Sequence, residues 1–158
     1  MRALAILALA LLAGCSSFDG KWRAAGQQGP LRGATRWDGR WTSNYHRSPA
    51  GGGAMSGRLR CVLEPVDAAR MRAHFHANWL VFAGDYTVPL AVVTPPSARR
   101  PGGPVKLAGT HELPKIFGGI YRYEARITGD RFAARYSSSY DAGTFTMTRQ
   151  LTNPTTFH

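Results

Sequence analysis

The chain has 158 residues, with 20 lysines and arginines against 9 acids and a formal net charge of +11. That length leaves room for a single domain after a leader, and the basic excess favours anionic partners such as lipid headgroups, phosphates or acidic glycans. Only two cysteines are present, which excludes a disulfide-stapled scaffold, and no stacking motif accompanies the basic residues, so no nucleic-acid partner is expected.

Met1 and Arg2 make a short positive start, and Ala3 to Leu12 is an unbroken apolar run of about ten residues. This is the pattern of an export signal; a spanning helix needs about twenty apolar residues, so the run is too short to anchor the mature chain. It ends in Leu12-Ala13-Gly14-Cys15, which resembles the lipobox of bacterial lipoproteins. The resemblance implies diacylglycerol on the Cys15 thiol, cleavage before Cys15 and acylation of the new amine, palmitate being one such acyl group. Run length, charged start and cleavage residues agree on this reading over an ordinary secretory leader. Ser16, where an Asp commonly retains such proteins at the inner membrane, implies the outer membrane of a two-membrane envelope. Losing residues 1–14 removes Arg2 and leaves a net charge of +10. With Cys15 lipidated, Cys61 stands alone, so stability must come from an apolar core.

Residues 15–35 carry the lipidated terminus and a segment rich in Gly, Gln, Ala and Arg, which reads as a flexible tether. Within it Phe18-Asp19-Gly20-Lys21-Trp22 echoes Trp37-Asp38-Gly39-Arg40-Trp41, as a short duplication or an additional first strand.

Residues 36–150 alternate with a period of two, the signature of strands with one buried face. Leu59, Cys61 and Leu63 oppose Arg58 and Arg60. Met71, Ala73, Phe75, Ala77 and Trp79 oppose Arg72, His74, His76 and Asn78. Tyr121, Tyr123 and Ile127 oppose Arg122, Glu124 and Arg126; Phe132 and Tyr136 oppose Arg131 and Arg135; Phe145 and Met147 oppose a threonine row. Gly129-Asp130 predicts a two-residue hairpin. Ala83-Gly84-Asp85 and Ser139 to Gly143 read as further turns, and Asn44 to Ser56 and Pro95 to Pro104 as loops. About eight strands result, centred near Trp41, Cys61, Phe75, Val88, Leu107, Tyr123, Ala134 and Phe145. The expected fold is therefore all-β, a single antiparallel up-and-down barrel, with 151–158 as a C-terminal tail. A membrane-spanning barrel would enclose roughly ten arginines in an interior with room only for packed, neutralised side chains, so the arginines are expected to face water.

Gly39-Arg40-Trp41 on the first strand and Arg149 on the last resemble the lipocalin and calycin pattern. There a G-x-W tryptophan closes one barrel end and an arginine packs across its indole. Arg149 shares the inward parity of Phe145 and Met147, and cation-π attraction would accommodate it. The fuller pattern, Trp37-x-Gly39-x-Trp41-x-Ser43 with Gly57 to Val62 and Asp141 to Phe145, is similar to small bacterial lipoproteins of uncharacterised function, and it implies a fold without a substrate.

His74 and His76 project to one side of a strand and are weak candidates for a metal pair completed by His46 or His111; a solvated basic face is the simpler reading. Cys61, among inward leucines, reads as packing rather than a reactive thiol. Ser137-Ser138-Ser139 with Asp141 and His111 lacks the G-x-S-x-G elbow, and no zinc-protease, paired-cysteine or phosphate-loop motif is found. Glu64, Asp85 and Glu112 read as isolated acids near strand ends. A non-enzymatic protein without a cofactor is expected. The inward aromatics allow two readings: a cavity in which Trp79, Tyr121, Tyr123 and Tyr136 line a site for a small apolar or amphipathic ligand, or a barrel filled by its own side chains. In the second, outward Arg58, Arg60, Arg122, Arg126, Arg131 and Arg135 would dock an acidic envelope partner.

Overall fold

The computed structural model describes residues 18–27, 33–47, 53–79, 82–115 and 118–151, the side chains of 46, 47, 79 and 82 excepted. The segment expected to be an export signal, Cys15 and the tail beyond 151 lie outside these residues. The alternating segments form β1 (Thr35–Arg47), β2 (Ala54–Pro65), β3 (Arg70–Trp79), β4 (Phe82–Val92), β5 (Val105–Glu112), β6 (Ile120–Thr128), β7 (Arg131–Ser137) and β8 (Ala142–Gln150). Each pairs with the next and β8 closes on β1, giving a closed eight-stranded barrel with antiparallel neighbours throughout. Every predicted strand centre falls within its strand.

Closure satisfies the backbone of both edge strands, and the pleat then sorts the side chains. Leu59, Cys61, Leu63, Ala73, Phe75, Val88, Leu107, Phe132 and Met147 are buried inside, while Arg58, Arg122, Arg126, Arg131 and Arg135 are exposed outside. Thr128 pairs with Arg131 across Gly129-Asp130, and Gly129 takes the positive φ of 56° that this short turn requires. The connections β1–β2, β3–β4, β5–β6 and β7–β8 lie at one rim, here the mouth; β2–β3, β4–β5 and β6–β7 lie at the far rim, where Pro96–Ala98 forms a 3-10 turn.

The middle of the barrel is filled. Ring centroids run Trp37 to Phe132 at 5.6 Å, Phe132 to Phe145 at 5.8 Å, Phe145 to Phe75 at 5.5 Å and Phe75 to Tyr86 at 5.1 Å. Phe145 stands on β8 and Phe75 on β3, three strands round the wall, so their contact crosses the lumen. Edge-to-face and offset rings at these spacings add attraction to the area they bury.

Four expectations are corrected. The Asn44 to Ser56 loop is shorter than expected, since β1 runs on to Arg47 and β2 begins at Ala54. Ala83-Gly84-Asp85 is not a turn: it lies inside β4, where Gly84 faces Ala77 and Asp85 faces His76. The segment read as a tether contains a helix, α1, over 18–27. Phe18, Trp22 and Ala25 share one face of it and cover the outward Val62 of β2, which is fully buried in consequence. Arg60 lies over the Phe18 and Trp22 rings at 5.1 and 5.4 Å, and Arg36 over Trp22 at 5.4 Å. Finally, Arg149 is opposite Trp37, whereas Trp41 is opposite Phe145. Four residues of β8 separate the two positions, a strand rise of about 13 Å, so the expected indole partner Trp41 sits toward the other rim.

Candidate functional site

The interior changes character toward the mouth. Toward the far rim from Phe75 and Phe145 it is apolar; Trp41 and Tyr86 stand level with them, and beyond them toward the mouth the inward positions include Ser43, His111, Tyr121, Tyr123 and Tyr136. Tyr86 and Tyr123 meet through their hydroxyls, the Tyr86 ring lies 5.7 Å from that of His111, and Tyr121 and Tyr136 stand 6.2 Å apart. Together they make a layer of aromatic and polar side chains at the mouth end of the lumen, with the Phe75 and Phe145 rings beneath it, here termed the cup.

Glycines and one buried acid hold the cup in shape. A Cβ on Gly57 would lie 1.7 Å from the Asn78 carbonyl oxygen and 2.7 Å from Trp41 Nε1; its absence lets the Trp41 indole cross β2 and donate to Asn78 O at 3.1 Å. A Cβ on Gly143 would meet the Tyr136 hydroxyl at 2.5 Å. Asp141 accepts from Ser43 Oγ at 2.6 Å and from Tyr136 OH at 3.0 Å, so its carboxylate ties β1, β7 and β8 together at the rim. Ser138 accepts from the backbone N–H groups of Tyr140 and Asp141 and donates to Asp141 O. The serine run is thus a turn former, and Asp141 is spent on Ser43 and Tyr136 rather than on His111.

The wall is parted beside the cup. β4 and β5 pair only over Leu90–Val92 with Leu107–Gly109, because Pro89 offers no N–H to continue the ladder. From there to the mouth the two strands separate, and Tyr86 and His111 stand on either side of the seam. Burial lowers the His111 pKa, so its ring is neutral near pH 7, and its buried Nε2 has no hydrogen-bond partner among the described residues. A neutral imidazole carries one donor and one acceptor nitrogen, which makes His111 the polar group most able to fix a guest. Inward parity at the end of β5 was its signal in the sequence.

Burial raises the pKa of Tyr86, Tyr123 and Tyr136, with the Asp141 charge adding to the shift at Tyr136; Cys61 is raised by burial alone. These groups resist ionisation in the folded state but ionise at ordinary values in the unfolded chain, so the folded state loses stability as pH rises through that ordinary range. The melting temperature is expected to hold flat through neutrality and to fall from about pH 9 to 10 upward, less steeply in Tyr136→Phe; thermal melts across that range check it.

His74 and His76 face outward as expected, but not into solvent. His74 bonds Glu64 at 3.0 Å and Thr87 at 2.9 Å; His76 bonds Asp85 at 2.5 Å and stacks on Phe18 at 5.2 Å. The two acids read as isolated are their partners, Asp85 directly across the β3–β4 pair and Glu64 one diagonal away on β2. His111 lies on the inner side of the wall, so the three histidines do not converge, and the His46 side chain is outside the described residues. No cluster of three or more metal-ligating side chains occurs among the described residues. Of the four predicted ligand-lining residues, Tyr121, Tyr123 and Tyr136 meet in the cup; the Trp79 side chain lies outside the described residues. The predicted basic rows divide: Arg58 pairs with Asp38 and Arg60 lies beneath α1 near Asp19 at 3.6 Å, whereas Arg122, Arg126, Arg131 and Arg135 carry no ion pair among the described residues.

No described helix is long and apolar enough to cross a membrane. Comparison with protein-family models, with curated proteins and with solved structures finds no match.

Proposed function

We propose that the chain is a non-enzymatic lipoprotein of the bacterial cell envelope, held by acyl groups on Cys15 at the periplasmic face of the outer membrane. Its calycin-like barrel binds a small amphipathic molecule in the cup at its mouth. The observation that carries the binding reading is the cup itself: phenols with neutral hydroxyls and a His111 Nε2 that has no hydrogen-bond partner among the described residues stand over an aromatic floor, beside a parted seam in the wall. Pockets in barrel mouths combine apolar walls with a few convergent polar groups in this way. Because the rings below fill the lumen, the guest is short: its polar head meets His111 and the tyrosines, and its apolar part lies on Tyr86 and the floor.

Titration of the full-length protein with a fluorescent fatty acid tests this. Saturable one-to-one binding is expected, and Tyr121→Phe, which removes the hydroxyl and keeps the ring, should weaken it about tenfold, equal to about 1.4 kcal/mol. A sharp apo mass in native mass spectrometry together with no dye binding would remove the ligand reading.

The exposed strip of Arg122, Arg126, Arg131 and Arg135 on β6 and β7, with Lys106 on β5, supports a second reading, in which the barrel is a filled adaptor docked on an acidic envelope partner. Such an attachment weakens with salt; charge reversal of those arginines that leaves partner recovery unchanged would discard it.

A further inference from the structure

We propose that α1 fastens the barrel with its mouth toward the bilayer, so that the lipid surface itself is the partner of the mouth rim. This rests on the reading of Cys15 as the anchor. Phe18 is 2% exposed, held on the outer wall between His76 and Arg60. Cys15 precedes it by three residues, a chain that reaches about 10 Å when extended. His76 lies three residues from the mouth end of β3 and six from the far end, strand rises of about 10 and about 20 Å. An acylated Cys15 therefore reaches the mouth rim and falls short of the far rim.

The two rims differ in a way that agrees. At the mouth, Tyr45, Ile120 and Tyr140 are 68%, 49% and 56% exposed, and the exposed charges of its described connections are Glu112 and Lys115. Tyrosines with one apolar face and one wet hydroxyl suit the headgroup boundary of a membrane. The far rim exposes Asp67, Arg70, Arg100, Asp130 and Arg131, and its exposed Val66, Val93 and Leu151 stand among those charges. A mouth laid on the bilayer opens the cup and the β4–β5 seam toward lipid, the source of an amphipathic guest.

The test uses the full-length, acylated protein in phosphatidylethanolamine and phosphatidylglycerol vesicles whose acyl chains carry a nitroxide quencher. A fluorophore is placed through Ile120→Cys or Tyr140→Cys at the mouth, and through Val93→Cys or Asp130→Cys at the far rim, Cys61 being buried. Most of the emission is expected to be lost at 120 and 140 and retained at 93 and 130. Phe18→Glu, which undocks α1 while leaving Cys15 in place, should make the four positions alike. Equal quenching at both rims with α1 intact, or stronger quenching at 93 and 130, overturns the orientation. The intact mass of the same sample separates the two ideas: an acylated Cys15 with equal quenching sinks the orientation alone, whereas an unmodified Cys15 sinks the anchoring and the orientation together.

Discussion

Phe132→Ala is expected to cost about 3 to 5 kcal/mol of stability and to lower the melting temperature by roughly 10 to 20 °C. Phe132 is fully buried and joins Trp37 to Phe145 in the chain of rings across the lumen. Truncation removes its own apolar area and leaves both neighbours facing a hole. β7 cannot collapse into that hole, because it is held on both sides by ladder bonds to β6 and β8. Truncation at the other apolar layer makes the contrast: Phe18→Ala loosens a short helix on the outside, which can leave the wall without opening the core. Its far-UV signal should lose a little helix while the cooperative melt of the barrel survives. Chemical denaturation of the two variants side by side checks both outcomes.

Cys15→Ser is expected to abolish all acyl labelling and to leave residues 1–14 attached, because the lipobox reading requires a thioether before cleavage. The wild-type mature protein should begin at Cys15 and carry the mass of two or three acyl chains. Each buried methylene contributes about 0.8 kcal/mol, and a single myristoyl chain binds membranes with a constant of only about 10⁴ M⁻¹, so loss of the acyl groups removes the whole anchor. Palmitate labelling and intact mass of both proteins check it. A wild-type chain recovered with a free thiol at residue 15 would refute the lipobox reading.

Most of the barrel was legible because its cause is local. Inward parity at Leu59, Cys61 and Leu63, or at Phe75 and Ala77, follows from a two-residue pleat that long-range contacts do not alter. Gly129-Asp130 was equally plain, since its turn chemistry is contained in two residues. The misreadings share a different origin, in which a partner distant in the chain decides the outcome. Gly84 resembles a turn residue, but β3 supplies Ala77 opposite it and the strand continues. Phe18 to Trp22 and Trp37 to Trp41 look alike in sequence and fold oppositely. Phe18, Trp22 and Ala25 lie at helical spacing, yet a ten-residue helix is marginal alone and forms here against Val62. The same cover places His76 against Phe18 of the helix, and both His74 and His76 stand beside acids that only the strand register brings to them. Trp41 had the expected motif but not the expected arginine, because register, which the sequence does not state, puts Trp37 opposite Arg149. In the cup, the three tyrosines were visible by parity; the role of His111 and the seam at Pro89 depended on where β4 stops pairing with β5.

The most direct test of the binding cup is a titration of the ¹³C-tyrosine-labelled protein with a single-chain amphiphile, followed by NMR of the ring resonances. Shifts are predicted at Tyr86, Tyr121, Tyr123 and Tyr136, with Tyr45, outside the cup, unmoved. Saturating amphiphile that leaves those four rings unchanged, or that moves Tyr45 alone, would contradict a cup at the mouth.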